Sequence, residues 1–101
     1  MERLIEDNID NIRKLCDTYS VKNLYVFGSA ASKTMNKDSD IDFLISFLNI
    51  SPEQYSDNYF SIHYALEDFL GRKIDLLTES SLSNPYFIQS IEKTKKLLYA
   101  A

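Results

Sequence analysis

Apolar residues recur at three- and four-residue steps through Leu4, Ile5, Ile9, Ile12, Leu15, Cys16 and Tyr19, with Glu6, Asp10, Arg13, Lys14 and Asp17 between them. That spacing predicts an amphipathic first helix. The pattern then changes. Asn23-Leu24-Tyr25-Val26-Phe27 is short, apolar and β-prone and stops at Gly28-Ser29, which reads as a buried strand running into a tight turn. Ala30-Ala31-Ser32 is suited to a short helix behind the turn, and a polar loop follows from Lys33 to Ser39. From Asp40 to Phe47 the period is two, with Asp40, Asp42, Leu44 and Ser46 on one strand face and Ile41, Phe43, Ile45 and Phe47 on the other.

Ser51-Pro52-Glu53 is a helix start with proline at the first helical position. Tyr55, Tyr59, Ile62, Leu66, Phe69 and Leu70 then share a helical stripe that ends at Gly71, a candidate C-cap. Arg72 to Thr78 predicts a third strand. Asn84-Pro85 marks another helix start, continued by Phe87, Ile88 and Ile91. Periodicity does not decide whether Lys96 to Tyr99 finishes that helix or forms a last strand.

These elements make an α+β (mixed α/β) fold, a small mixed sheet with helices packed on it. A strand-helix-strand crossover favours parallel pairing of the second and third strands, which brings their N-terminal ends, and so Asp40, Asp42 and Asp75, together. If the first two strands are antiparallel, Gly28-Ser29 arrives at the same edge.

Composition narrows the function. At 101 residues, residues 1–101 are expected to form one domain, too short to add a separate substrate-recognition domain. A net charge of −4 argues against direct nucleic-acid binding, which needs cationic surface to displace counterions. Cys16 is the only cysteine, so no internal disulfide can form and paired-thiolate zinc sites are excluded. The N-terminus is too charged for a signal peptide and no run approaches a membrane span, so a cytoplasmic location is expected.

The chemistry sits in Gly28-Ser29, Asp40-Ile41-Asp42 and Asp75. Two Mg²⁺ ions roughly 4 Å apart neutralise phosphate charge, activate a hydroxyl and stabilise a pyrophosphate leaving group. Mg²⁺ takes carboxylate, phosphate and water oxygens. Residues two apart on a strand face the same way about 6.6 Å apart, so Asp40 and Asp42 can reach around a shared ion pair, with Asp75 completing one site as ligand and proton acceptor. Gly28 lets backbone approach phosphates, which the Ser29 hydroxyl and nearby N–H groups can bind. Lys33, Lys37, Arg72 and Lys73 are the nearby cations in sequence.

An apolar residue, Gly-Ser, a spacer and Asp-apolar-Asp-apolar resembles the signature of the DNA polymerase β-like nucleotidyltransferase superfamily. Ser39 before Asp40, the later Lys73-Ile74-Asp75-Leu76-Leu77 and the short length resemble most its minimal nucleotidyltransferase (MNT) branch. The four-residue pattern at one spacing arises by chance in about one in a thousand chains of this size. The resemblance implies Asp40, Asp42 and Asp75 as metal ligands, with Asp75 also the base, and Gly28, Ser29 and Lys33 as nucleotide-binding residues. It further implies ATP as substrate, two Mg²⁺ ions, and a HEPN ribonuclease toxin as partner, whose tyrosine receives AMP while this chain acts as antitoxin in a homo- or hetero-oligomer. Members of the superfamily often carry Arg after Gly-Ser, then a basic residue and Gly; here stand Ala30, Ala31, Ser32 and Lys33. That departure motivates a second reading, a binding module that neutralises a partner by contact. A small-molecule nucleotidyltransferase is the third, opposed by the short chain.

Other residues read as structural. His63 lies beside the long apolar stripe as a boundary residue, Cys16 as helix packing, and Lys93, Lys95 and Lys96 as a solvated face. The aromatic residues mostly match core stripes, leaving Tyr64 and Tyr86 as candidate partner contacts.

Overall fold

A computed structural model describes residues 3–32 and 40–101. The first helical stretch is two pieces, α1 (Arg3–Asp7) and α2 (Ile9–Thr18), rather than the single helix expected. Asn8 causes the break. Its side-chain amide donates to the Leu4 carbonyl at 2.9 Å, the acceptor its own N–H would use in a continuous helix, and that N–H turns to Ile5 instead at 3.1 Å.

Strand β1 (Val21–Phe27) runs into Gly28, and α3 (Ser29–Ser32) follows as the short helix expected there. Strand β2 (Ile41–Phe47) leads to α4 (Pro52–Leu70), whose Ser51 and Gln54 form a reciprocal capping box. Helix α4 ends at Gly71 with φ 63°, the left-handed C-cap anticipated. After β3 (Ile74–Thr78) and a 3-10 turn (Glu79–Ser81) comes α5 (Pro85–Thr94), capped by the Asn84 side chain on the Tyr86 and Phe87 amides. Lys96–Ala100 is strand β4. Periodicity left it open because its order depends on pairing with β1, far away in sequence.

The four strands run in the order β3-β2-β1-β4. β1 is antiparallel to both β2 and β4, and β2 is parallel to β3, as the crossover through α4 requires. On one sheet face Val26, Ile41, Phe43, Ile45 and Leu76 join α1, α2 and α4 residues such as Ile5, Ile12, Ile62 and Leu66 in the main core. Each such buried side chain contributes about 1.5–3 kcal/mol. Arg13 Nε fastens α2 to β4 by donating to the Leu98 carbonyl at 3.1 Å.

The opposite face carries a smaller cluster of Phe27, Leu44 and Ile91, with Tyr25, Leu77 and Leu82 against it. Helix α5 therefore covers the face on which Asp42 alternates with Leu44. At the rim, the Lys73 carbonyl accepts from Ile41 N–H in β2 at 3.2 Å, so by strand alternation the Leu76 carbonyl points away from the sheet. The Tyr59 hydroxyl donates to it at 2.6 Å.

Tyr64 and Tyr86, set apart from the core stripes by the sequence, are 65% and 82% exposed, whereas Phe69 and Phe87, expected on those stripes, are 38% and 42% exposed; Phe60 on α4 is 54% exposed. Phe69 follows the helical period but lies at the margin of a stripe whose centre, Ile62, Leu66 and Leu70, fills the available space. Cys16 is fully buried, as helix packing predicted. No helix among the described residues is long and apolar enough to cross a membrane.

Candidate active site

Sheet register assembles the site. Phe27 is paired with Asp42, and Asp42 with Asp75, so the end of β1 and the starts of β2 and β3 form one row across the sheet. Paired residues share a face, and the Asp42 and Asp75 carboxyls stand within hydrogen-bonding reach of one another. Asp40 precedes β2 by one residue and is exposed. Its charge is felt at Asp42, but among the described residues no three His, Cys, Asp or Glu groups form a closed metal-ligand set. The expected triad is thus a touching pair with a third carboxylate beside it.

Burial, followed by the charge and hydrogen bond of Asp75 and the charge of Asp40, pushes the Asp42 carboxyl up to about 6. A cation beside Asp42 would offset that pressure and favour its ionised form. A hard divalent cation, bound through carboxylate oxygen, fits this donor set. Asp42 and Asp75 would hold it, with Asp40 the adjacent oxygen donor.

Gly28 closes the site from the β1 side. Its φ of 71° is one that residues with a Cβ rarely adopt, and a Cβ there would lie 3.1 Å from Asp42 Oδ2. The turn therefore packs directly on the carboxylate. Ser29 opens α3, and Lys33 lies outside the described residues. Ala30 and Ala31 are 1% and 2% exposed and belong to the main core.

Sequence reading missed Thr94. The last residue of α5, it accepts a hydrogen bond from Gly28 N–H on its hydroxyl at 2.9 Å, across 66 positions of chain. Only the pairing of β4 with β1 brings it there, and no local pattern signals that. Lys95 was also misread as part of a solvated face. Its ammonium pairs with Glu92 at 2.8 Å and stands 4.5 Å from the centre of the Tyr25 ring. Phe27, at the end of the row, is met edge-on by Phe87 at 6.3 Å between ring centres. His63 is a boundary residue, as expected, 3.5 Å from Glu67 one helical turn on.

Comparison with known proteins agrees with the geometry. The family model described as nucleotidyltransferase domain matches residues 9–98, which include the whole carboxylate row. A Methanocaldococcus jannaschii protein provisionally named a protein adenylyltransferase is 40% identical over 79 residues, 78% of each chain. In fold, the chain resembles a protein in a crystal structure described as a toxin-antitoxin with AMP-PNP, with TM-score 0.71 and 23% identity over 93% of this chain and 74% of that one. It also resembles one in a structure of a tri-AMPylated Shewanella oneidensis HEPN toxin in complex with MNT antitoxin, with TM-score 0.60 and 20% identity over 95% and 72% of the two chains. With the Gly28 turn, the Asp42–Asp75 pair and a family match along nearly its whole length, the chain belongs to the nucleotidyltransferase domain family.

Proposed function

We propose that this chain is a Mg²⁺-dependent protein adenylyltransferase that moves AMP from ATP to a tyrosine hydroxyl of a HEPN ribonuclease toxin, and so acts as its cytoplasmic antitoxin. The observation that carries the reading is the Asp42–Asp75 carboxyl pair packed beside the Gly28 turn. Bound Mg²⁺ supplies charge neutralisation at the phosphates and at the pyrophosphate leaving group.

The protein's own groups do the rest. Asp42, less exposed than Asp40 and Asp75, would hold the cation together with Asp75, with Asp40 the adjacent oxygen donor. Asp75 is exposed on an edge strand, open to a hydroxyl arriving from a partner, and its carboxylate takes the acceptor's proton. The Gly28 turn carries the triphosphate close to Asp42 by leaving no side chain between them. The relative's name and the AMPylated toxin of the similar complex support AMP as the transferred group and HEPN protein as acceptor.

Incubation with labelled ATP, Mg²⁺ and the product of the neighbouring gene should label that product. Asp42→Ala should abolish the label while the fold persists. Absence of label with wild-type protein at every Mg²⁺ concentration would overturn the reading.

A second reading, neutralisation by contact alone, is favoured by one observation. Ala30 and Ala31, which follow the Gly-Ser turn, are core residues and offer no cation to a triphosphate. It prevails if Asp42→Ala still neutralises the toxin and wild-type protein transfers nothing.

A further inference from the structure

We infer that Thr94 is a positioning residue that sets the Gly28 turn for nucleotide binding, an inference that rests on the nucleotidyl-transfer reading above. The Gly-Ser turn suggests backbone N–H groups aimed at phosphate, yet the Gly28 N–H is given to the Thr94 hydroxyl at 2.9 Å. Its role is therefore to anchor the turn.

The anchor has a reason to exist. Gly28 holds φ 71° with its α-carbon so near Asp42 that a Cβ would lie 3.1 Å from Oδ2. A glycine has the widest conformational freedom of any residue, having no Cβ to restrict its backbone. The junction of α5 and β4 fixes it from outside. Thr94 ends α5, the Lys95 N–H bonds back to the Ile91 carbonyl at 2.8 Å, and Lys96 already pairs with Val26, two residues before Gly28. The Thr94 hydroxyl is thus mounted on a helix end and a strand start, both tied to the sheet. It sets the distance between the turn and the carboxylate on which the triphosphate and its cation depend.

The test compares wild type, Thr94→Val, Thr94→Ser and a control, Thr18→Val, whose hydroxyl donates within α2 to the Lys14 carbonyl. Two quantities are read: hydrogen exchange of the Gly28 amide by NMR in nucleotide-free protein, and affinity for ATP with Mg²⁺ by calorimetry. Loss of one hydrogen bond corresponds to about a tenfold change. Thr94→Val should speed Gly28 exchange and weaken ATP binding by about that factor each, with kcat for transfer changed less than KM. Thr94→Ser should restore both, and Thr18→Val should alter neither.

If wild type binds ATP and Thr94→Val leaves either quantity unchanged, the positioning role is overturned while the nucleotidyltransferase reading stands. Failure of Thr94→Ser to restore what valine removes also overturns it, since packing rather than the hydroxyl would then be responsible. If wild type binds no nucleotide, the transfer reading fails, and the role of Thr94 with it.

Discussion

Asp42 and Asp75 face each other across the parallel pairing of β2 and β3, within hydrogen-bonding reach, although they lie 33 positions apart in the chain. Like charges at that separation work against the fold. The site is thus less stable empty than it would be with a cation or a neutral side chain in it.

The sign of that cost gives a pH dependence. The folded Asp42 carboxyl is raised to about 6 from its ordinary 3.8, so between those values the folded state holds a proton that the unfolded state has lost. Its contribution is full below about pH 4 and is lost as pH rises through about 6. After allowance for solvent screening, metal-free Asp42→Asn should be more stable than wild type at pH 7.5 by on the order of 1–2 kcal/mol, and equal to it near pH 4. Urea denaturation with a chelator present measures this.

Addition of Mg²⁺ should reverse the ranking. At pH 7.5 saturating Mg²⁺ should raise the wild-type Tm, by about 2–3 kcal/mol of stabilisation at a hundredfold excess over Kd, and leave Asp42→Asn unmoved. At pH 5 the wild-type gain should shrink, because a proton on Asp42 competes with the ion. Thermal melts with and without chelator at both pH values decide it.

The two glycines with positive φ should separate fold from function. Gly71→Ala meets nothing within 4 Å and should cost only the left-handed strain, about 1 kcal/mol, with transfer intact. Gly28→Ala adds a Cβ 3.1 Å from Asp42 Oδ2 and should cost about 2 kcal/mol and more than tenfold in activity. Paired stability and activity measurements on the two variants test the contrast.

The thiol of Cys16 should be inert in the native protein. Burial pushes it up to about 12, so almost no thiolate exists at pH 8. A disulfide reagent should react only at the rate of unfolding, and at once in denaturant.

Much of this was legible in the sequence because it is written locally. Ser51-Pro52, Gly71 and Asn84-Pro85 mark helix ends by chemistry that acts within four residues, and the period of two from Asp40 to Phe47 assigns both strand faces. The carboxylate row was legible one step further, since a crossover forces β2 and β3 parallel. What escaped depends on contacts distant along the chain. β4 exists only beside β1, Thr94 reaches Gly28 only through β4, and the exposure of Phe60 and Phe69 follows from how much of α4 the sheet can cover. The break at Asn8 escaped for another reason: one side chain took a carbonyl that the apolar pattern does not see.

The bond from Tyr59 to Leu76 has a consequence for how the molecule lives among copies of itself. A strand at the rim of a sheet is a template on which another extended chain can lie, lengthening the sheet without limit. On β3 the outward Leu76 carbonyl is already taken by the Tyr59 hydroxyl. Burial, then the charges of Tyr55 and Asp75, raise that hydroxyl above its ordinary range and keep it a donor at physiological pH. The middle outward acceptor of the strand that carries Asp75 is thereby withheld from another chain, while the Asp75 carboxylate stays open to solvent.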